Sequence, residues 1–541
     1  MPHFSFLKRI GRRHRRRAAP GLTPEEAKRI AHRDALDVGF YRKYYSDLAH
    51  MTEEEALRHY ALHGRGEERY PNLGKCIEFH ENEIRKLPED FNPEEYLAAN
   101  PELAPTIDIA RRYWEPAMHY LKYGRWEGRP YKHGTARFTY DAAILHRMTD
   151  YVYDMPDVVP DPGRRPTVNV LVPPFHFSTM SAGFFGVFHV ALFIKQCGLR
   201  VRLVMYAPFV FDKALFREKI QHYPGMEKLF DDLEVDYIGD RDHPLRISPR
   251  DNCVATVCHS AYFAKKIMEA RGGGKFLYVI QDHESSFYAN GALSAIADKP
   301  YAFNYAALFS SESLRNHFLT RGVGSFGQGH VDHLHMNNAC CANLKPWEEF
   351  LAAHGGDKPR KFFFYARPQV SRNMFEIGAL ALCMAYREGV FAGGEWEFIG
   401  AGIGEPEIEL GPGVSLKQMK RMNLREYREV VSTFDLGLCL MASPHPSITP
   451  FDLHGSGATV VTNSHGVKDQ AYFDSVAPGI IVAEPDVPSV VAALRKAVAA
   501  SADLAARHRN AGMMNYPRDW KDTFGDEHVH FVRRIFSETL T

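Results

Sequence analysis

The chain has 541 residues, a length that predicts roughly three or four domains at about 150 residues each. A hydrophobic fraction of 45% and a charged fraction of 24% exclude a globally disordered protein. The 66 basic residues balance the 66 acidic residues, but residues 1–20 hold seven basic residues and no acid. The first 20 residues therefore carry a charge of +7. The remainder, with 59 basic and 66 acidic residues, carries −7.

Eight cysteines are present and none forms a C-x-x-C pair, which argues against zinc ribbons and thioredoxin-type redox sites. Several lie beside apolar segments and are expected to be buried free thiols, so the predicted compartment is a reducing cytoplasm. The basic start continues into more arginine instead of an apolar stretch, so no signal peptide is expected. No run of about 18 apolar residues occurs, and no transmembrane helix is expected.

An internal repeat occupies the region before residue 135. Residues 59–69 (HYALHGRGEER) and 119–129 (HYLKYGRWEGR) share His, Tyr, Gly, Arg, Glu and Arg at an offset of sixty. We expect residues 1–20 to form a basic disordered tail and residues 21–135 to form an α-helical repeat module. The module is either a purely structural unit or a docking surface for an acceptor or a partner protein.

A cluster of prolines near residue 160 predicts a linker, placed at residues 136–165. Beyond it, short β-rich runs alternate with helical stretches, and several runs lack the period-two alternation of half-exposed strands. This pattern predicts an α/β fold with Rossmann-like, doubly wound domains. The predicted strands cover residues 168–172, 201–206, 253–258, 276–280, 308–310, 361–365, 396–399, 436–440, 459–462 and 480–482.

A break near residues 340–360 separates two such domains. We assign residues 166–345 to the N-terminal of these domains and residues 346–520 to the C-terminal one. Residues 521–541 are expected to form a helix that packs back toward the N-terminal domain. Ligands of open α/β sheets bind beyond the carboxyl ends of the strands, so the site is expected in the cleft between the domains.

The predicted N-terminal domain offers two groups of candidates. Gly183 and Gly186 open its first helix, where small residues let the backbone approach an anionic ligand or simply allow close helix packing. His259 and Asp282 each follow a predicted strand and should face the cleft. There they would bind sugar hydroxyls or move a proton, unless they only cap the strand ends.

In the predicted C-terminal domain, Arg367 and Arg372 follow a strand and suit a diphosphate, with solvated loop arginines as the alternative. Further on, Thr449 is a predicted N-cap and Pro450 a predicted N1 residue. The amides of Ser447, Ile448 and Thr449 would then point at a ligand, with Asp452 in the first helical turn. The alternative is an ordinary capped helix.

No metal site is expected. His330, Asp332, His333 and His335 lie close in sequence, but no further ligand stands at a familiar spacing, so a polar interdomain segment is preferred. The triplet at 240–242 (DRD) fits a turn.

The order of several motifs resembles the GT-B glycosyltransferases of family 4, and most of all the bacterial nucleotide-sugar rhamnosyltransferases of surface-glycan synthesis. The resemblance extends from about residue 168 to the C-terminus, about two-thirds of the chain. The helical repeats resemble modules found beside bacterial polysaccharide glycosyltransferases. The supporting stretches are FLYVIQDHESSFY, FSSESL, YARPQVSRNMFEIGALAL, EFIGAGI and LREYREVVSTFDLGLCLMASPHPSITPFDLHGSGATVVTN.

The resemblance implies that residues 166–345 form an acceptor-side domain and residues 346–520 a nucleotide-sugar-binding domain, and it implies specific roles on the donor side. Arg367 and Arg372 would hold the diphosphate and stabilise the charge of the leaving group. Asp452 matches the second glutamate of the family's Glu-x7-Glu motif, which binds the ribose. Pro444 replaces the first glutamate, and the amides of residues 447–449 or the His445 side chain are its expected substitutes.

The remaining roles concern the cleft as a whole. Gly400 and Gly402 match the turn near the nucleotide, and Gly183 and Gly186 match the small residues facing donor phosphate and acceptor. Because no carboxylate nucleophile is evident, we expect same-face attack assisted by the leaving phosphate. His259 and Asp282 are the expected acceptor-side residues.

The predicted function is a metal-independent, retaining hexosyltransferase without a cofactor. It would move rhamnose from dTDP-rhamnose, or another sugar from a nucleoside-diphosphate donor, to a cell-surface polysaccharide or lipid-linked glycan. The alternatives are a nucleotide-sugar epimerase and a catalytically decayed scaffold that binds partners through its repeats.

The basic tail is expected to act at a membrane. No nucleic-acid partner is predicted, and residues 8–17 are expected to contact anionic lipid head groups. The protein would then be cytoplasmic and peripheral on the inner face of the cytoplasmic membrane. The alternative is a solvated tail without a partner.

Overall fold

The computed structural model describes most of the chain from residue 23 onward. The tail, including residues 8–17 with their predicted membrane contact, and most of the predicted linker before residue 154 lie outside the described residues. Among the helices that are described, none is both long enough and apolar enough to cross a membrane. The described residues are 23–67, 69–76, 87, 88, 90–104, 107, 115–125, 127–132, 148, 149, 152, 154–175, 177, 180, 182–207, 209, 211–402, 408–420 and 422–540.

The described part of the region before residue 135 contains short helices, four of which start at a side-chain cap. Thr23 and Thr52 form capping boxes with Glu26 and Glu55, and the Asn92 side chain accepts from two amides of the following turn. The helices are α1 (Pro24–Arg33), α2 (Val38–Tyr44), α3 (Glu53–His59), α4 (Pro93–Ala99) and α5 (Glu115–His119), with π-helical turns at Tyr60–Gly64 and Tyr120–Gly124.

The two copies of the sequence repeat make the same contacts. The Tyr41 hydroxyl lies 3.1 Å from His59 Nδ1, and the Tyr96 hydroxyl lies 2.9 Å from His119 Nδ1. In both copies the glycine five residues after the histidine faces the tyrosine hydroxyl, with no space for a Cβ atom. The glycines of the repeat are therefore required by packing between a helix and a buried tyrosine.

Replacing Gly64 or Gly124 by alanine should destabilise the copy that contains it by about 1–3 kcal/mol, because the added methyl would overlap the tyrosine hydroxyl. Gly66→Ala is the matched control, since a Cβ there would lie 3.5 Å from the nearest atom. Hydrogen exchange of the amides in α3 and α5 measures the effect. Equal exchange in Gly64→Ala and Gly66→Ala would contradict this packing.

The N-terminal α/β domain is built on a seven-stranded sheet whose neighbouring strands are all parallel, in the order β4-β3-β2-β6-β7-β8-β9. A separate parallel pair, β1 and β5, lies outside it. Its strands and helices are β1 (Val158–Pro160), β2 (Val168–Val172), α6 (Ala182–Gln196), β3 (Val201–Met205), α7 (Lys213–Ile220), α8 (Leu229–Asp232), β4 (Glu234–Tyr237), β5 (Leu245–Ile247), β6 (Asn252–Ala255), α9 (Cys258–Ala270), β7 (Phe276–Ile280), α10 (Ala292–Asp298), β8 (Tyr305–Phe309), α11 (Glu312–Arg321) and β9 (His333–His335).

The C-terminal α/β domain has a second seven-stranded sheet, in the order β12-β13-β11-β10-β14-β15-β16. Only β12 and β13 pair antiparallel. Its strands and helices, with the helices that follow, are α12 (Trp347–His354), β10 (Arg360–Phe364), α13 (Phe375–Arg387), β11 (Trp396–Gly400), β12 (Ile408–Gly411), β13 (Val414–Gln418), α14 (Leu424–Val431), β14 (Leu436–Leu438), α15 (Thr449–His454), β15 (Thr459–Asn463), α16 (Gln470–Val476), β16 (Ile481–Ala483), α17 (Val487–Ala500), α18 (Leu504–Met513), α19 (Asp526–Ile535) and α20 (Ser537–Leu540).

The chain crosses between the two domains twice. Residues 336–346 lead from β9 to α12, and the Cys340 amide on this segment donates to the Pro517 carbonyl at 2.9 Å. At the end of the chain, Phe531 and Val532 of α19 pack into the core of the N-terminal domain. This arrangement of two Rossmann-like domains is the GT-B architecture, so the predicted fold class of these two domains is confirmed.

The histidine-rich segment near residue 333 differs from expectation. It forms β9, the edge strand of the N-terminal sheet, and Leu334 packs against that domain's core. The predicted polar interdomain segment is therefore wrong at these residues. His335 Nδ1 lies 2.7 Å from an Arg315 nitrogen. Within the described part of the chain, no three His, Cys, Asp or Glu side chains are grouped to hold a metal ion.

Candidate active site

The candidate site lies where the carboxyl ends of the two central sheets face each other. The Ser313 hydroxyl, at the start of α11, donates to the Pro444 carbonyl of the C-terminal domain at 2.7 Å. The Ser443 hydroxyl donates to Asp282 Oδ1 in the opposite direction. The two domains are therefore in polar contact at the edge where ligands of α/β sheets bind.

Asp282 is positioned by the strand that precedes it. Strand β7 is buried along its whole length, and Asp282 follows it by two residues. The carboxylate also accepts from the His283 amide at 2.8 Å, and the residue is 8% exposed. A buried carboxylate held in this way has a fixed direction, toward the C-terminal domain.

The two predicted diphosphate-binding arginines differ in their surroundings. Arg372 lies in a short turn after β10, and its Nε is 3.9 Å from Asp282 Oδ2. Its guanidinium also lies over the Phe287 ring, 4.2 Å from the centroid. Arg367 donates to the Tyr365 hydroxyl at 3.0 Å instead. The structure thus brings Arg372 together with the predicted acceptor-side carboxylate.

The predicted glycines fall into two places. Gly400 ends β11, opposite Phe364 of β10. Gly402 has a φ of 96°, and a Cβ there would lie 2.8 Å from the Arg367 side chain, so glycine allows this close approach. Gly183 and Gly186 lie in the first turns of α6, where a Cβ on Gly186 would be 3.1 Å from Asn338. Gly402 therefore borders Arg367, and Gly186 borders the segment that joins the domains.

The loop before α15 differs from the prediction by one residue. Helix α15 begins at Thr449 and Ile448 is its N-cap, so Thr449 as N-cap and Pro450 as N1 are wrong. The reason is that Ile448 already has helical φ and ψ angles. Ser447 has a φ of 65°, a strained conformation for a residue with a side chain. The loop is held in an unfavourable shape beside the domain contact.

The three predicted amides are not equivalent. The Ser447 amide donates to His445 Nδ1 at 3.0 Å. The amides of Ile448 and Thr449 donate to no group in the described chain. Burial lowers the pKa of His445 to about 4, so its ring is neutral at physiological pH. Because Nδ1 accepts a hydrogen bond, the ring proton lies on Nε2, which makes His445 a hydrogen-bond donor.

Asp452 faces the protein interior. Its Oδ1 accepts from the Cys341 amide at 2.6 Å and its Oδ2 accepts from the Tyr427 hydroxyl at 2.9 Å. The residue is 4% exposed. Oδ1 therefore ties the interdomain segment to the C-terminal domain, whereas Oδ2 is bonded within that domain, so both oxygens already have a donor from the protein. The ribose-binding role of Asp452 stays a prediction.

Asp452→Asn should change how stability depends on pH. Burial raises the pKa of Asp452 to about 6, above the ordinary value of 3.8, despite its two hydrogen bonds. The folded protein therefore binds this proton more tightly than the unfolded chain does. The stability that this proton contributes is complete below about pH 4 and is lost as the pH rises through 6.

The variant lacks this proton and the stability loss that follows its release. As the pH rises from 4 to 6, the free energy of unfolding of the variant relative to wild type should therefore increase by up to about 1.4 kcal/mol per pH unit. Urea denaturation at several pH values measures the difference. Asp474→Asn, on the exposed side of α16, is the control. Parallel stability profiles for wild type and Asp452→Asn would show that this carboxyl does not titrate in the window.

Several site residues were not predicted from the sequence. Lys468 is fully buried, and its Nζ donates to the Met441 carbonyl at 2.7 Å. Burial lowers the pKa of Lys468 to about 7, while the negative charge of Asp282 opposes that shift. His317 Nε2 lies 3.2 Å from His283 Nδ1, beside the same boundary. The feature of the sequence that points to Lys468 as a site residue is its position shortly after the buried strand β15.

His259 lies at the next strand end from Asp282, in the first turn of α9. Its ring centroid is 6.2 Å from that of Tyr206. Burial lowers the pKa of His259 to about 4, which favours the neutral ring. His259 and Asp282 therefore share the carboxyl edge of the N-terminal sheet, as their sequence positions imply. Their catalytic roles stay predictions.

Comparison with known proteins finds a family model that matches part of the chain, a curated relative and solved structures of similar fold. Residues 360–495 match the family described as WsaF, C-terminal domain. The O-antigen biosynthesis protein RfbC of Myxococcus xanthus is 30% identical over 281 residues, which make up 50% of this chain. The match spans 20% of that relative, so the chain covers about a fifth of its length.

Two solved structures illustrate the likeness in fold. The first is Anabaena Alr3699/HepE in complex with UDP-glucose, with a TM-score of 0.46, 12% identity and coverage of 69% of this chain and 99% of that one. The second is WaaG, a glycosyltransferase involved in lipopolysaccharide biosynthesis, with a TM-score of 0.39, 13% identity and coverage of 69% and 98%.

Proposed function

We propose that this chain is a glycosyltransferase that moves a sugar from a nucleoside-diphosphate donor to a cell-surface polysaccharide or a lipid-linked glycan. The observation that carries the proposal is the convergence of Arg372, Ser443 and Lys468 at the carboxyl edge of the C-terminal sheet, opposite Asp282. Cationic and hydroxyl donors in a partly dry cleft suit a diphosphate leaving group. The match to the WsaF C-terminal domain and the name of the Myxococcus relative support glycan synthesis.

The donor side follows from the chemistry of these groups. Arg372 and Arg367 would neutralise the charge that develops on the departing diphosphate. His445 Nε2 and the amides of Ile448 and Thr449 would donate to sugar or phosphate oxygens, in place of the carboxylate that Pro444 lacks. Our candidate for the donor is dTDP-rhamnose, in keeping with the resemblance to family 4 rhamnosyltransferases.

The acceptor side is formed by the N-terminal domain. We assign Asp282 and His259 to the acceptor, where they would orient a hydroxyl and receive its proton. The transfer would retain the anomeric configuration through same-face attack, with the leaving phosphate taking part in deprotonation, and would need no metal ion. Polar contact between the domains would exclude water from the donor.

The proposal also includes where in the cell the reaction takes place. A lipid-linked acceptor lies at the membrane surface, and the seven basic residues at positions 8–17 would attract anionic head groups at about 1 kcal/mol each. We therefore place the enzyme on the inner face of the cytoplasmic membrane, as a peripheral protein.

The test is a matrix of dTDP-rhamnose, UDP-hexoses and GDP-hexoses against lipid-linked glycan acceptors. Released nucleotide and the mass of the product are both read. The expected result is one donor that releases nucleotide only with an acceptor and adds the mass of one sugar. Nucleotide release without a heavier product, or no release from any donor, would overturn the proposal.

A further inference from the structure

The carboxylate of Asp282 crosses the domain boundary to groups of the C-terminal domain. Ser443 Oγ donates to Asp282 Oδ1, and Arg372 Nε lies 3.9 Å from Asp282 Oδ2. A residue of the acceptor-side domain is therefore held by the donor-side domain. The contact joins one negative group to a hydroxyl donor and a guanidinium.

Lys468 adds a second cation to this group. Its side chain is fully buried, yet the only bond of its ammonium within the described chain is to the Met441 carbonyl. No described carboxylate lies within ion-pair distance of Lys468. The Ser443 amide donates to the same Met441 carbonyl at 2.9 Å, so the Lys468 ammonium lies beside Ser443, whose hydroxyl bonds to Asp282. An ammonium has three N–H donors, so two of them are left for another acceptor.

The cluster offers more donors than one carboxylate uses. Arg372 Nε is buried and donates no hydrogen bond within the described chain. The ring of neutral His445 lies in the field of both Arg372 and Lys468, with its Nε2 proton available. A carboxylate has two oxygens and one charge. A diphosphate has more oxygens and more charge, and it would satisfy donors that Asp282 leaves unpaired.

We propose that Asp282 holds the position that the donor's diphosphate takes, and that Ser443 and Lys468 bind this diphosphate together with Arg372. The inference rests on the proposed function and assigns two further donor-binding residues to it. Asp282 and the diphosphate compete for the same groups. A donor that enters must therefore displace Asp282, which frees this carboxylate to face the acceptor.

Displacement couples the two halves of the site. While Asp282 accepts from Ser443, its Oδ1 is not available to an acceptor hydroxyl. Once the diphosphate takes the Ser443 and Arg372 contacts, the carboxylate regains its acceptor capacity beside the sugar. The acceptor-side group would thus become available only after the donor is in place, which sets the order of donor binding before acceptor activation.

Titration calorimetry with inorganic pyrophosphate tests the competition, because pyrophosphate carries neither base nor sugar. Asp282→Asn keeps the size of the side chain and removes the charge. We expect pyrophosphate to bind Asp282→Asn about tenfold more tightly than wild type. Unchanged or weaker binding would overturn the proposal that Asp282 occupies the position of the diphosphate.

The proposed donor-binding residues are tested in the Asp282→Asn background, where the competing charge is absent. Each substitution also removes a contact within the protein, because Lys468 donates to the Met441 carbonyl and Ser443 Oγ accepts from the His445 amide at 3.0 Å. Adding Lys468→Met should weaken pyrophosphate binding about tenfold, and adding Ser443→Ala should weaken it severalfold. Because Lys468 is buried, thermal melts establish that the double variant is folded, and the Ser443 variant provides the second measurement. Unchanged affinity in the folded double variants would remove these residues from the site.

The outcomes separate this inference from the proposed function. Pyrophosphate affinities that follow the expected order, without sugar transfer from any donor, would overturn the glycosyltransferase proposal alone. Sugar transfer by wild type, with pyrophosphate affinities that do not change among the variants, would overturn this inference alone.

Discussion

Arg372→Ala is expected to lower donor turnover by roughly 10²–10³-fold, the usual loss when one group that stabilises developing charge is removed. Arg372 is the arginine that faces the opposing domain, 3.9 Å from Asp282 and over the Phe287 ring. Its guanidinium would neutralise the negative charge that develops on the leaving diphosphate, in a site shielded from water. Steady-state release of nucleotide from the accepted donor measures the loss.

The matched control is Arg495→Ala, which removes an exposed arginine of the same domain that pairs with Glu388 on the surface. It should leave turnover unchanged. Arg372→Lys should fall between wild type and Arg372→Ala, because lysine keeps the charge but lacks the fork of donors. Equal turnover in wild type and Arg372→Ala would remove Arg372 from the mechanism.

Asp435→Ala is expected to lower the free energy of unfolding of the C-terminal domain by about 3–5 kcal/mol, the usual cost of leaving a buried charge unpaired. Asp435 is 4% exposed and accepts from His354 at 2.7 Å, from Arg507 at 2.9 Å and from the Lys361 amide at 2.8 Å. Burial raises its pKa, but the bonds from His354 and Arg507 outweigh burial and hold the pKa below its usual value.

Chemical denaturation with far-UV circular dichroism measures this loss, and Asp474→Ala, an exposed aspartate of the same domain, is the control. Asp435 directly precedes β14, at the edge of the sheet opposite the candidate site. Turnover per folded molecule should therefore be retained at low temperature. A denaturation midpoint equal to that of the control would show that the buried network contributes little to stability.

Much of the sheet architecture is predictable because strands covered on both faces are continuous apolar runs. The runs at 168–172 and 276–280 coincide with β2 and β7 residue for residue. The antiparallel pair β12 and β13 at one sheet edge lacks this signal. Each of the two strands has a single buried residue, so neither forms a continuous apolar run.

The location of the candidate site can be predicted from the sequence, but the contacts between its side chains cannot. Arg372 and Asp282 each follow a strand, and ligands of parallel sheets bind beyond the carboxyl ends of the strands. The sequence therefore predicts that both residues lie at the cleft. The sequence does not reveal that the two side chains approach each other, since that depends on how closely the domains pack. Likewise, Asp452 is bonded to Cys341, 111 residues away, which no local pattern predicts.

Lys468 shows that the type of a residue does not always predict whether its side chain is exposed. A lysine in a polar stretch is normally a solvated surface residue. Here the segment after β15 turns inward and places the ammonium against the Met441 carbonyl. Burial of a charge is a tertiary property, and the local sequence around Lys468 does not reveal it.

Calorimetric titration of wild type and Arg372→Ala with UDP, dTDP and GDP tests the central claim most directly, because it needs no knowledge of sugar or acceptor. The account predicts that one nucleotide binds wild type at a single site, and that Arg372→Ala binds it at least tenfold more weakly. Absence of binding by all three nucleotides, or equal affinity in wild type and variant, would contradict a nucleoside-diphosphate site in this cleft.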